Sequence, residues 1–413
     1  MNLFGDTNNV SRLDILYRIS YDYFIFVRDT TENPNYPFIG RGDLVVDLLD
    51  STGTSVARKI IHKQLGIQEQ RTINSEKAFV QGIISFQLNP GLYSLVTELT
   101  DKESNRRYFN DKLKVNVKNF SLSRLSLSDF ILTDIFDMKN DSVQFSPLNL
   151  SGDVPFGKNF NVYVELPLNQ TTDSLSIISR LKRILPDGSY EQFFIQDTIG
   201  KENFFSSAKL EMTDGEHEAR YRLVKTSHNG YLGVRIKVKG DTLEEGEYEL
   251  SVICKTPTFA DSLIKRFQIR WFDSPASLRQ PEIVLRVMEY VMNDTEYSHY
   301  KSANKTEKIK LFKDYWKHRD PMPQTAYNEA LAEYFRRVDY TITAFSTLNN
   351  RDGYRWDRGK AYIIYGSPGK IERNLTGNST AQEIWYYPGL HKKLVFEDHA
   401  HKSEYRLLTI ESY

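Results

Sequence analysis

The amino-acid pattern predicts a multidomain, mainly β chain: two β-sandwiches over residues 1–118 and 119–272, then an α+β domain over 273–413. Three observations lead there. Short alternating apolar runs, broken by turn-forming residues, fill the first two thirds of the chain. A Gly-x-Tyr-x-Leu pattern recurs at Gly91–Leu95 and Gly246–Leu250, each time followed by one last alternating strand, 111–117 and 262–271. Beyond Trp271 the apolar spacing changes from a period of two to that of a helix.

The first run places Leu13, Ile15, Tyr17, Ile19, Tyr21, Tyr23, Ile25 and Val27 on one face, with Asp14, Arg18, Ser20 and Asp22 opposite. That pattern predicts a half-buried strand pair or one long bent strand. Leu44, Val46 and Leu48 continue the series, as do Ile84, Phe86 and Leu88, then Tyr93, Leu95 and Thr97, then Leu113, Val115 and Val117. Turn chemistry such as Asp50–Gly53 and Asn89–Gly91 separates them. Further strands are expected at 160–166, 176–185, 221–224, 232–238 and 248–254. A Gly-x-Tyr opening the penultimate strand suits a tyrosine corner, with the ring inward and its hydroxyl bonded to loop backbone; this points to Ig-like or fibronectin-III-like sandwiches. Residues 119–135, with Phe120, Leu122, Leu125, Leu127, Phe130 and Ile131, form an apolar linker expected to pack between them. Cys254 extends the inward series Tyr248, Leu250, Val252 and is expected to be a buried packing thiol.

In the last region three helices within 281–345 are expected to pack on a small antiparallel sheet over 359–411. Pro281 suits a first helical turn, and Asn304-Lys305-Thr306-Glu307 reads as a capping box. Thr325 is expected to cap the third helix, whose apolar stripe is Leu331, Tyr334, Phe335, Val338, Ile342 and Phe345. Strands are expected to return at 360–365, 383–387, 393–397 and 405–410.

Lys+Arg and Asp+Glu both number 54, so the chain lacks the basic footprint of a nucleic-acid binder. Cys254 is the only cysteine, which removes an intramolecular disulfide and any cysteine metal cluster. No run approaches the ~20 apolar residues of a membrane span. Residues 1–12 show neither a signal peptide nor a lipoprotein cysteine. The chain is therefore expected to be cytoplasmic or to begin after a removed signal. The H-E-x-x-H, G-x-S-x-G, phosphate-loop and dinucleotide-turn patterns are all missing, so no catalytic residue, cofactor or metal is expected. His399 and His401 would share a face on a continued strand, a geometry that can hold a divalent metal, but a solvated hairpin turn competes there. Arg41-Gly42-Asp43 reads as turn residues ahead of a strand.

A denser pattern lies near position 320. Trp316, Arg319, Asp320, Pro321, Pro323, Thr325, Asn328 and Glu329 stand in a W-x-x-RDP-x-P-x-T-x-x-NE array. Gly353-Tyr354-Arg355-Trp356-Asp357-Arg358-Gly359 follows. Together these resemble the GWxTD domain, a bacterial envelope-associated family without an established activity. Tyr354 stands where the family's name has its Trp, and Trp356 where it has Thr. The resemblance implies β-sandwich material ahead of the motif and a periplasmic or outer-membrane-associated location. On the residues themselves, Arg319 suits the free carbonyls of a helix end and Asp320 the N–H groups of the next helix. Asn328, Glu329, Arg337, Asp357 and Arg358 would complete a semi-buried polar network tying the third helix to the first sheet strand. The same cluster could instead form a recognition or catalytic cleft.

Asp followed by Ser/Thr and then an aliphatic residue or Thr resembles a bacterial O-glycosylation pattern. It would place glycans on Thr30, Ser51, Ser142, Ser174, Thr198, Thr242 and Ser262, all outside the motif domain. Turns entering strands supply the same dipeptides. The function expected from all this is a non-enzymatic envelope interaction or scaffold protein. Its sandwiches would be spacers or binding modules, and its last domain would dock a protein partner, with Trp356, Tyr386 and Tyr387 as candidate contact aromatics. The alternative is a hydrolase using paired carboxylates (Asp320, Glu329 or Asp357), or a glycan-processing or glycan-binding protein.

Overall fold

Alternation buries Leu13, Ile15 and Ile19 on one face of the strand Ser11–Ser20, and the chain then turns through a short 3-10 segment, Tyr21–Tyr23. The computed structural model describes residues 1–5, 10–30, 35–69, 78–110, 112–120, 126–134, 136–139, 142–148, 153–167, 175–196, 199–214, 219–225, 231–257, 260–346, 352–374, 380–399 and 403–413. They form two compact units, Met1–Arg270 and Trp271–Tyr413. The fold is mainly β in several sheets, with five α-helices among the described residues, all in the second unit.

In the first unit Ser11–Ser20 pairs antiparallel with Asn2–Gly5 and Phe79–Leu88. Phe38–Leu49 lies between Ser55–Ile67 and Gly91–Asp101 in another sheet. Their inward residues, among them Leu13, Val46, Leu48, Leu95 and Val117, form one apolar core. A second core joins Phe160–Pro167 and Tyr231–Val238 to Ser176–Ile184, Gly246–Lys255 and Ala260–Arg270. Fully burying a side chain of this size contributes about 1.5–3 kcal/mol. Both Gly-x-Tyr positions close the same way. The Tyr93 hydroxyl donates to Asn89 O at 2.9 Å and the Tyr248 hydroxyl to Glu244 O at 2.8 Å, each four residues upstream.

Three sequence expectations need correction here. Asp14 was placed on the polar face, yet it is fully buried. The opposite face of its strand is itself covered, by a third cluster in which Phe4, Leu16 and Ile83 meet Ile131, Phe145, Tyr163 and Tyr221. Arg41-Gly42-Asp43 lies inside Phe38–Leu49, not ahead of a strand. A Cβ on Gly42 would sit 2.5 Å from the Phe24 ring, while Arg41 pairs with Glu103 and Asp43 with His62 and Lys102. Finally, Ser55–Ile67, Tyr190–Gln196 and Ala208–Asp214 are strands that apolar alternation did not mark. Ser55–Ile67 carries Arg58, Lys59, His62 and Lys63, the charge that suits an exposed edge. Of the linker, Phe120, Leu127, Phe130 and Ile131 are buried, while Leu122 and Leu125 lie outside the described residues.

A buried polar knot sits beside the third cluster. Asp14 accepts from Arg12 Nε at 3.1 Å, from the Tyr221 hydroxyl at 3.1 Å and from the Ser85 hydroxyl. Buried Glu165 accepts from the Tyr163 hydroxyl at 2.9 Å. Burial raises the Glu165 carboxyl above its usual pKa, with Arg12 pulling the other way. An acid whose folded pKa exceeds its unfolded value stabilises fully below the unfolded pKa and loses that contribution as pH rises through the folded one. Glu165→Gln keeps an acceptor for Tyr163 and removes the buried charge. In urea denaturation it is expected to match or exceed the parent's midpoint at pH 8, with the difference vanishing near pH 4. A clear loss at pH 8 would mean that the ionised form is the one the fold needs.

Cys254 is fully buried, and burial pushes its thiol up to about 12. It therefore stays protonated at neutral pH. Ellman's reagent at pH 8 is expected to leave the folded protein unlabelled and to titrate one thiol in urea. Rapid native labelling would contradict the packing role.

The second unit begins with α1 (Pro281–Met288), α2 (Asp294–Ser302), α3 (Lys305–Lys317) and α4 (Glu329–Ala344). α5 (Asp357–Tyr365) follows. The antiparallel sheet runs in the order Lys370–Asn374, Ala381–Tyr387, Lys392–Asp398, Arg406–Ser412. The expected three helices are thus five, and the sheet begins at Lys370, not near 359. α2 escaped notice because only Tyr300 of its residues is buried, although Asn293 and Glu296 form a full capping box. Residues 360–365 are helix, not strand. α5 lies between two cores: Ile363 faces the helical one, while Ala361, Tyr362 and Tyr365 face the sheet. A helix apolar on most sides shows no helical period to be read.

Candidate functional site

The motif residues around position 320 form the link from α3 to α4. Trp316 packs among Phe312, Tyr315, Tyr334 and Phe335. Arg319 lies over the Tyr315 ring at 3.6 Å and donates to Tyr315 O at 3.3 Å, so the cation meets a helix-end carbonyl. Asp320 accepts from Met322 N at 2.9 Å. Exposed Pro321 and Pro323 fix φ along the link, and Pro323 takes the second position of the turn that Thr325 N closes onto Met322 O at 2.9 Å. Thr325 closes that turn through Met322 O and Tyr327 O; it does not cap a helix. The cap is Asn328, four residues before Ala332: it accepts from Leu331 N and donates to Trp316 O, each at 2.8 Å. One amide side chain thus serves the end of α3 and the start of α4.

The second motif segment anchors α5 to the sheet. Gly353 is set so tightly against the end of α4 that a Cβ would lie 1.9 Å from Thr341 O. A Cβ on Gly359 would lie 2.1 Å from Gly353 O. Tyr354 fills the helical core at 3% exposure, so this ring takes the place of the family's indole. Trp356 occupies the N-cap position of α5 without a side-chain cap bond, since an indole has no acceptor there. Asp357 accepts from Leu407 N at 2.9 Å, and Arg358 donates to Ser403 O at 3.1 Å.

Arg358 leads to a group the sequence reading missed. Glu383, 2% exposed, accepts from Trp385 Nε1 at 2.6 Å and Arg373 Nε at 3.0 Å, with Arg358 Nη1 at 3.5 Å. Arg358 is also flanked by the rings of Tyr405 and Phe345. Burial lowers its pKa, and Glu383 opposes that shift. The alternation Glu383, Trp385, Tyr387 on an inward strand face was the available signal: a carboxylate in that series has to be paired.

The expected single network resolves into separate links. Arg337 bonds Glu333 at 2.8 Å and Ile363 O at 3.4 Å, and Asp357 meets Lys360 at 3.4 Å. Among the described residues Glu329 Oε2, Trp316 Nε1 and Trp356 Nε1, all buried, have no hydrogen-bond partner. Of the contact aromatics, Tyr387 is buried and Trp356 and Tyr386 are half-buried. Among the described residues no group of three or more His, Cys, Asp and Glu is placed to hold a metal. His399 is exposed beside Glu397, and His401 lies outside the described residues. Thr30, Ser51, Thr242 and Ser262 are exposed, Ser142 lies on the strand Ser142–Phe145, and Ser174 and Thr198 lie outside the described residues.

A family model for the GWxTD domain matches residues 266–413. Residues 266–413 are a GWxTD domain. No curated protein matches it. Among solved structures it is similar to one titled BspA_C_mut, at 10% identity over 65% of this chain and 97% of that one, with a TM-score of 0.16. A family 123 glycoside hydrolase from Clostridium perfringens matches at 13% identity over 42% of this chain and 31% of its own, with a TM-score of 0.17. The pilin subunit BcpA of Bacillus cereus matches at 11% identity over 55% and 64%, with a TM-score of 0.13. Likenesses of this size say nothing about what the GWxTD domain does here.

Proposed function

We propose that this is a non-enzymatic interaction or scaffold protein of a bacterial envelope, periplasmic or outer-membrane-associated. Its first unit would supply Ig-like or fibronectin-III-like spacers or binding modules, and its GWxTD domain would dock a protein partner. One observation carries this: four of the motif's charged groups are spent on holding elements together. Asp320 and Asp357 each accept a backbone N–H, Arg319 serves a helix-end carbonyl and Arg358 is tied to Glu383. A carboxylate pair for hydrolysis would need both groups open to substrate across a cleft. Among the described residues the outer strands Lys370–Asn374 and Arg406–Ser412 each pair with one neighbouring strand, with Ile371, Leu408 and Ile410 exposed. Free strand edges with apolar side chains are a common docking surface. Exposure of Thr30, Ser51, Thr242 and Ser262 supports O-glycans on the first unit.

Cell fractionation with crosslinking of the native full-length protein tests the proposal. Recovery in the envelope fraction with one reproducible protein neighbour is expected, retained in an Asp357→Asn variant that still folds. Recovery in the cytosol without a neighbour, or glycan hydrolysis abolished by that variant, would overturn it.

A further inference from the structure

A cavity of about 700 Å³ opens in the first unit where three edge strands come together. Ser55–Ile67 contributes Arg58 and Lys59, Phe79–Leu88 contributes Ser85, Phe86 and Gln87, and Ala208–Asp214 contributes Lys209 to Met212. Arg12 also lines it. The lining holds four cations, Arg12, Arg58, Lys59 and Lys209, against one carboxylate, Glu211, which lies 3.5 Å from Arg222; Arg12 is already paired with Asp14 behind it. In a chain whose charges cancel overall, that concentration is a local excess. Arg58 lies directly across the strand pair from Asp47, and Lys59 lies 5.5 Å from the Phe86 ring. Apolar walls from Ala57, Phe86, Leu210 and Met212 focus such a field instead of screening it.

Arg12 supplies the second observation. Its Nε is held by Asp14 at 3.1 Å and its Nη1 by Leu210 O at 2.6 Å, while the ring of Phe4 lies 4.7 Å away. Among the described residues its buried Nη2 has no hydrogen-bond partner. A guanidinium locked on two sides with its Nη2 donors unspent is a pre-oriented anchor, and an unmet buried donor costs about 1–3 kcal/mol until something accepts from it.

We propose that this cavity binds a small multivalent oxyanion, carboxylate or phosphate in type, with Arg12 at its base and Arg58, Lys59 and Lys209 around it. Its volume suits a compact ligand, since such sites span roughly 300–1,000 Å³. Titration calorimetry of the full chain at low ionic strength, with citrate in one arm and tripolyphosphate in the other, tests this and separates the two chemistries. Saturable binding at one site is expected in at least one arm, weakening as salt rises. An Arg58→Ala/Lys59→Ala variant changes only exposed residues and is expected to weaken binding about tenfold or more. An Arg107→Ala/Lys114→Ala variant removes the same charge from exposed strands away from the cavity and is expected to bind like the parent. Equal loss in both variants, or no saturation by either probe up to about 10 mM, would overturn the assignment.

Discussion

Replacing Glu383 with alanine is expected to destabilise the second unit by about 3–5 kcal/mol, the range for removing one partner of a buried ion pair. The substitution leaves Trp385 Nε1 without its acceptor and Arg358, whose side chain is 13% exposed, without its nearest carboxylate. Arg373 is far more exposed and can turn to water, so the cost falls on the other two groups. Glu383→Gln retains an acceptor for the indole and is expected to lose less, about 1–3 kcal/mol. All four tryptophans, Trp271, Trp316, Trp356 and Trp385, lie in residues 271–413, so indole emission during urea unfolding follows this unit alone. A change below about 1 kcal/mol for Glu383→Ala would show that the carboxylate is dispensable to the fold and freer for chemistry than its contacts imply.

Gly353→Ala is expected to cost about 3 kcal/mol or more, at or above the top of the usual overpacking range. The added methyl would have to occupy space 1.9 Å from Thr341 O and 2.9 Å from both Phe345 C and Ser346 N. These are backbone atoms at the end of a packed helix, so no side-chain rotation relieves the clash. Gly389→Ala is the matched control: nothing lies within 4 Å of its added carbon, and it is expected to stay within about 0.5 kcal/mol of the parent. Equal midpoints for the two variants would mean that the α4 end yields readily.

Much of this architecture was readable without coordinates, and the failures share a physical cause. Period-two burial marked strands such as Phe38–Leu49 and Gly246–Lys255 because each has one clearly apolar face. The rule fails where an element is covered on both sides. Asp14 looked solvated because its neighbours alternate, yet a second layer lies over it. Residues 360–365 of α5 read as a strand because their apolar side chains are divided between two cores, Ile363 to one and Ala361, Tyr362 and Tyr365 to the other. Cap chemistry was half right: Asn304 accepts from Glu307 N as expected, while Asn328, not Thr325, starts α4. The motif's residue types were legible, but its partners were not. Glu383 lies 25 positions from Arg358 in sequence, and only the packing of α5 on the sheet brings the two together. The cationic cavity was beyond reach for a similar reason, since its four charges come from three strands in three different sheets.

Helix α5 also sets how the second unit can come apart. Because Ile363 belongs to one apolar cluster and Ala361 to the other, neither cluster can be solvated without stripping the same nine-residue rod. The helices and the sheet are thereby made to melt as a single cooperative block. A fragment cut after α4 would forfeit the wedge that seals its own bundle.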